Sequence, residues 1–326
     1  MSKKRKRMRE LINDRRDGPN EPEIGKTASA VAASRQKKAE LFAIYNGRNN
    51  LPSSIMRADN STRSINRGHV CDESGEARSY KETSPFVEVL KGGVNNEPLK
   101  SAYSISGKGA KAGALSIFPQ NVGRTTVLLY TDKGSHIFDP FAGHNSRMEL
   151  CVKLGRDYTG CDLSAAFMMH NRKRAKELRD EYPKRKITLH RVDSRTVPVE
   201  SNSADFTITS PPYWDIEYYG DEPEQMGKCP TYEDFLASMK KVLAENFRIL
   251  KSGSFAAYFI NDFRRRKTMY FFHADILRLG VEVGFTPHDI MIVDLGRGFG
   301  DVFINQFVAN RILPKRHEYG VIFVKL

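Results

Sequence analysis

From Ser116 to the C-terminus two kinds of segment alternate, and that alternation restricts the fold more than any other feature of the chain. "HIFDPFAG", "RDYTGCDLS", "KITLHRVDS", "ADFTITSPPY", "SFAAYFIND" and "DIMIVDL" are short apolar runs that end in a carboxylate, Ser or Gly, and "YGVIFVKL" closes the chain. Between them, helical stretches are read at Arg147 to Leu154, Ala165 to Glu181, Tyr232 to Leu250 and Tyr270 to Val283. Apolar strands separated by helices predict an α/β domain, a doubly wound and mostly parallel sheet covered on both faces. In such a sheet a ligand binds beyond the carboxyl ends of the strands, where these acids and glycines collect.

The rest of the chain reads differently. Residues 1–25 are expected to form a basic disordered arm, 26–112 an N-terminal extension, and 113–326 the α/β domain. Within the extension, Thr27 to Tyr45 is Ala-rich and reads as a helix stopped by Asn46-Gly47. Residues 48–112 are rich in Gly, Ser, Asn and basic side chains and show little periodicity. Charge is uneven: residues 1–70 carry sixteen Lys and Arg against seven acids, so nine of the thirteen net positive charges lie there. Eight basic side chains within residues 1–16 suit an arm held near a polyanion, with nucleic acid the first candidate.

No apolar run approaches the roughly 18–20 residues that span a bilayer, and "MSKKRKRMRE" has no apolar segment behind its charges. A cytoplasmic protein without membrane contact is expected, bacterial or phage-encoded, although "KKRKR" also resembles a nuclear-import signal. Cys71, Cys151, Cys161 and Cys229 have neither disulfide density nor CxxC spacing, so they read as reduced thiols and no metal site is assigned.

Three strand ends carry acids in register. In "DPFAGHNSR" a strand runs into Asp139, a small-residue turn and a helix, which lets backbone approach a ligand while the carboxylate accepts from an ammonium. Asp162 in "GCDLS" ends the next strand, where an acid accepts from both hydroxyls of a ribose. Asp193 and Ser194 in "RVDSR" end the third, placed to meet an adenine edge. After the fourth comes "TSPPYW". Pro211-Pro212 end that strand and freeze the turn behind it. A nucleobase amine is a poor nucleophile because its lone pair is delocalised, and two acceptors on its hydrogens favour the pyramidal form that frees the pair. Ser210 Oγ and the Pro211 carbonyl supply them, and Tyr213 offers a face for an extruded base.

With these residues the chain resembles the S-adenosylmethionine-dependent amino-methyltransferases of DNA, which make N4-methylcytosine or N6-methyladenine. The resemblance covers about 210 residues, from near Leu115 to Leu326, and rests on "DPFAG" paired with "TSPPY". It implies a seven-stranded sheet of the class I methyltransferase, Rossmann-like type and S-adenosylmethionine as cofactor. It also implies a cofactor-binding set of Asp139, Pro140, Phe141, Ala142, Gly143, Asp162, Leu163, Asp193 and Ser194, and a catalytic set of Ser210, Pro211, Pro212 and Tyr213. "PKRHEYGVIFVK" resembles the closing hairpin of the family, and "FPQNVGRTTVLLY" the segment packed over the methionine end of the cofactor.

The implied reaction is direct transfer of methyl to the amine of a base flipped out of double-stranded DNA. Ser210 favours cytosine N4, because adenine N6 relatives more often carry Asp or Asn there, and N6-adenine methylation is the alternative. A non-catalytic nucleic-acid-binding subunit is the reading from another class, favoured by Asn145, which stands where the family pattern FxGxG has its second glycine. "TSPPY" follows the cofactor motif, the unpermuted order, and leaves no long insertion for target recognition. Recognition is expected from residues 1–112, from the loop Trp214 to Pro230, or from "NDFRRRK", Asn261 to Lys267, where four basic residues follow a strand. "GRGFG", Gly296 to Gly300, reads as a flexible loop. Restriction-modification is one setting for such an enzyme.

Overall fold

The structure, a computed structural model, describes residues 118–295 and 304–326 apart from 144, 218, 266 and 314, together with three short strands. The chain divides into two units, residues 1–51 and 52–326, and everything described lies in the second. The expected arm, the helix at Thr27 to Tyr45 and the Gly296–Gly300 loop lie outside the described residues.

The short strands are β1 (Ile55–Arg57), β2 (His69–Cys71) and β3 (Ala77–Ser79), and β2 pairs with β3 alone. From 118 onward the order is α1 (Gln120–Tyr130), β4 (His136–Asp139), α2 (Ser146–Lys153), β5 (Asp157–Cys161), α3 (Ala165–Glu181), β6 (Ile187–His190) and β7 (Ala204–Thr209). Then come α4 (Tyr232–Ile249), β8 (Leu250–Ile260), β9 (Phe263–Arg265), β10 (Thr268–Tyr270), α5 (Phe272–Val283), β11 (Thr286–Asp294), α6 (Ile304–Ala309) and β12 (His317–Val324). The main sheet runs β1-β11-β12-β8-β7-β4-β5-β6. β12 is antiparallel to both its neighbours, and every other pairing in the sheet is parallel.

Without β1, this is the strand order of the class I methyltransferase, Rossmann-like fold. The expected seven strands are all present, and β1 adds an eighth beside β11, in register Ile55 with Ile292, from a region whose sequence shows no strand periodicity. The closing hairpin β11–β12 is present. α1 was not among the helices read from the sequence. Its first turn contains Gly123, whose missing Cβ leaves room for Phe118 and Leu150, which a Cβ would meet at 2.5 and 2.7 Å.

Neighbouring residues of the buried strands point into opposite layers, which is why these runs are continuously apolar rather than alternating. Ile137, Ala257, Phe259 and Ile322 join a core with Val122 and Val127 of α1, Met148 of α2 and Leu178 of α3. Phe138, Ala256, Tyr258, Ile260 and Phe323 join the other core with Phe235, Met239 and Leu243 of α4 and Ile276 of α5. Helix starts follow local chemistry: the Thr231 hydroxyl accepts from Asp234 N (3.1 Å) at the head of α4, with Glu233 and Asp234 in its positive first turn.

Candidate active site

The strand order reverses at β4, with β5 on one side and β7 on the other, and the loops leaving these strands enclose one cavity. It is lined by Phe141, Gly143, Asp162, Leu163, Asp193 and Ser194 and by Ser210, Pro211, Pro212 and Tyr213. Ten of the thirteen residues singled out from the sequence thus share a single space. Asp139, Pro140 and Ala142 do not line it.

Asp139 is the main correction. It is 0% exposed and acts as a strut. Its Oδ1 accepts from Thr209 Oγ1 (2.8 Å) and Phe141 N (3.1 Å), and its Oδ2 from Arg147 Nε (2.7 Å) and Tyr158 OH (2.9 Å). Four donors from β5, β7, α2 and its own turn leave no lone pair aimed at an ammonium, so the expected direct contact with the cofactor is withdrawn. Gly160 makes this possible: a Cβ there would stand 2.7 Å from Tyr158 Cε1. Arg147, partner of Asp139, lines the cavity instead and donates to the Phe141 carbonyl. Pro140 takes part through its carbonyl, which accepts from the Ser194 hydroxyl, and Ala142 is buried against the strand end, its N–H donating to Cys161 O (2.8 Å).

Asp162 lines the cavity. Its Oδ2 accepts from Gly143 N (2.8 Å) and its Oδ1 from Ser164 N (2.8 Å). Burial pushes its carboxyl up to about 6 against those two hydrogen bonds, and the Asp139 charge adds to the rise. Ribose hydroxyls would donate to the ionised form, so binding a ribose lowers this pKa. Cofactor affinity is therefore expected to be constant well above pH 6 and to fall about tenfold per pH unit below it. Calorimetric titrations across that range check this, and Asp162→Asn should flatten the profile. Asp193 also lines the cavity, but Arg195 grips it through Nε (2.9 and 3.0 Å) and Nη2 (2.5 Å), and is itself held by Glu224 O (3.0 Å). An adenine edge at Asp193 would have to share the carboxylate with that guanidinium.

The glycine turn is formed differently from the expectation. Gly143 has φ +45, the left-handed conformation glycine favours, while Asn145 has φ −64. No glycine is needed at 145 for backbone reasons. Asn145 is 3% exposed at the head of α2, and both polar atoms of its amide, with the neighbouring Ser146 Oγ, find no partner among the described residues. Neither residue lines the cavity. Asp162 and the Gly143 turn do line it, and a carboxylate able to accept from ribose hydroxyls beside a backbone turn open to close approach fits S-adenosylmethionine.

Tyr213 meets the Ser210 side chain through its hydroxyl and packs edge-on against Phe263 and Phe272, each 6.4 Å between centroids. Trp214 takes φ +39, a strained conformation for so large a residue, and is pinned by its indole N–H to Cys229 O (2.9 Å) and by the rings of Tyr232 and Tyr270. "NDFRRRK" is part of a hairpin, β9–β10, rather than a simple turn. Phe263 and Tyr270 stack across it (5.4 Å), and Arg265 Nε reaches Asp215 Oδ2 (2.7 Å) beside Trp214. Sequence reasoning missed Phe167, Glu217, Tyr219, Gln225 and Met226, which also line the cavity. The last four come from the loop Trp214 to Pro230, named only as a recognition candidate; an aperiodic loop shows no signal of which side chains turn inward. Glu222 ties it back by accepting from Ala165 N (3.0 Å) at the head of α3.

The chain matches no protein-family model and no curated protein. Among solved structures it is similar to an S-adenosylmethionine-dependent methyltransferase from Methanosarcina mazei, 15% identical with a TM-score of 0.44, covering 65% of this chain and 99% of that one. It is similar to the geranyl diphosphate C-methyltransferase of Streptomyces coelicolor A3(2), 14% identical, TM-score 0.43, covering 64% and 77%. It is also similar to a protein of Thermus thermophilus provisionally named a DNA modification methylase and crystallised with S-adenosyl-L-methionine, 27% identical, TM-score 0.32, covering 41% and 53%. The fold assignment stands on the strand order described above.

Proposed function

We propose that this chain is an S-adenosylmethionine-dependent methyltransferase acting on the exocyclic amine of a flipped base in double-stranded DNA, cytosine N4 in particular. The observation that carries the reading is the shared cavity, lined by Asp162, Gly143 and Asp193 together with Ser210, Pro211, Pro212 and Tyr213. When bound, the cofactor supplies an electrophilic methyl on a positively charged sulfur.

The chain's own residues do the rest. Asp162 holds a ribose, and Leu163 and Phe167 offer apolar walls. Ser210 Oγ and the Pro211 carbonyl accept the hydrogens of the target amine, and Pro212 keeps that carbonyl in place. Tyr213 stacks on the base, and the loop of Glu217 to Met226 excludes water, so orientation supplies most of the acceleration. Ser210 supports cytosine through the resemblance stated above. Incubating the full chain with methyl-labelled S-adenosylmethionine and either duplex DNA, RNA or bulk protein tests the substrate class: label is expected in DNA, and label only in protein would refute the reading.

The basic hairpin supports a nucleic-acid substrate. Arg264, Arg265 and Lys267 are exposed on the β9–β10 hairpin, which is tied to the segment just after Tyr213 by Tyr270 against Trp214 and by Arg265 on Asp215. Neutralising Arg264 and Lys267 together is expected to lower the slope of log affinity against log salt by about 2, at roughly 0.9 per phosphate contact. The loss should be equal on different duplex sequences. Fluorescence anisotropy over a salt series measures it.

A further inference from the structure

One ionisable side chain in the cavity is accounted for neither by the cofactor nor by the amine acceptors. Glu217 lines the same space as Ser210 and Tyr213, directly after the 3-10 turn Trp214–Ile216. Its Oε2 accepts from the Tyr219 hydroxyl. The groups facing it are Tyr213 and Tyr219 from its own loop and Glu318 from β12, the last with Lys315 beside it. Burial lifts the Glu217 carboxyl above its ordinary value, and the Tyr219 bond opposes that rise.

Methylation of an amine creates a proton that has to leave. The lone pair of nitrogen becomes the N–C bond, the electrons of the broken S–C bond stay on sulfur, and nitrogen carries the positive charge until an N–H bond gives its electrons back. A serine hydroxyl and an amide carbonyl are too weakly basic to keep the proton released. The other acids lining the cavity are engaged: Asp162 takes two backbone N–H groups, and Asp193 is gripped by Arg195. We propose that Glu217 is a catalytic residue, the carboxylate that receives the proton lost by the methylated amine. This rests on the nucleic-acid methyltransferase reading above and adds to it the base of the reaction.

The test uses the full chain, duplex DNA and saturating S-adenosylmethionine, so that titration of Asp162 does not enter, with single-turnover rates followed across pH. The wild type is expected to slow on the acid side, with a midpoint above the ordinary glutamate value. Glu217→Gln should be about 100-fold slower and lose that acid limb. Glu217→Asp should recover part of the rate and the limb, and Tyr219→Phe, which removes only the supporting bond, should keep the limb. Two readouts need no turnover. Cofactor affinity by calorimetry should be unchanged in Glu217→Gln, and an infrared difference spectrum against the wild type, without cofactor or DNA, should show one carboxyl titrating above the ordinary range. A Glu217→Gln protein with an intact acid limb and a rate within about threefold of the wild type would overturn the proposal alone. So would a parallel loss of cofactor affinity and rate. A wild type that binds cofactor and methylates no nucleic acid would overturn the underlying reading and this inference with it.

Discussion

Replacing Asp139 by alanine is expected to lower the melting temperature by about 10 °C before it weakens cofactor binding. The carboxylate holds four donors in a fully buried place, and removing it leaves the Arg147 guanidinium, itself buried, without its ion partner. Breaking a buried pair from one side costs about 3–5 kcal/mol, and a domain of this size loses roughly 2–4 °C per kcal/mol. Taking the arginine away as well, in Asp139→Ala with Arg147→Met, should recover part of the loss because no uncompensated charge remains. Scanning calorimetry of the three variants measures the stability term, and cofactor titration well below the new melting temperature measures the other. Normal melting combined with abolished cofactor binding would return Asp139 to the role of a direct ligand.

The second large effect is expected at Tyr213. Losing the ring in Tyr213→Ala should slow methyl transfer about 10- to 100-fold, the equivalent of ~1–3 kcal/mol of base stacking. Affinity for S-adenosylmethionine should stay within about twofold, because the contacts of the ring are with Ser210, Phe263 and Phe272. Tyr213→Phe keeps the face and should be mild, losing only the hydroxyl beside Ser210. Rapid-quench single-turnover rates and cofactor titrations separate the two quantities. An equal fall in both would mean that the ring is a packing element, wedged between Phe263 and Phe272.

How far the structure could be read in advance follows from where the information sits. The parallel strands were legible because residues such as Ile137 and Phe138, or Ala257 and Tyr258, are buried on opposite faces, and unbroken apolar runs announce that. The end of α3 at Glu181 and the start of α4 at Tyr232 were also clear, the latter because Thr231, Glu233 and Asp234 cap and charge its first turn. α1 was not read as a helix, because its first turn holds a glycine whose purpose, room for Phe118, lies in tertiary packing. β1 was invisible since three residues show no period, and only the free edge of β11 selects them.

At the site, the residue types were legible and their directions were not. Nothing in "DPFAG" tells that Asp139 turns inward to meet Arg147, Tyr158 and Thr209, donors that lie 8, 19 and 70 residues away. Nor does "RVDSR" show that Arg195 folds back onto Asp193. Glu217 and Tyr219 enter the cavity from a loop whose course is set by Glu222 at the head of α3 and by the pinned indole of Trp214.

The most direct test of the central claim is mass spectrometry of nucleosides from duplex DNA treated with the full chain and S-adenosylmethionine carrying an isotopically labelled methyl. The account predicts labelled N4-methylcytosine whose initial rate of formation falls about 10- to 100-fold in Tyr213→Ala. Labelled N6-methyladenine would keep the amine chemistry and overturn the choice of base. Labelled 5-methylcytosine, or no labelled nucleoside from a protein that demonstrably binds the cofactor, would contradict the claim that this cavity brings a nucleobase amine to the methyl.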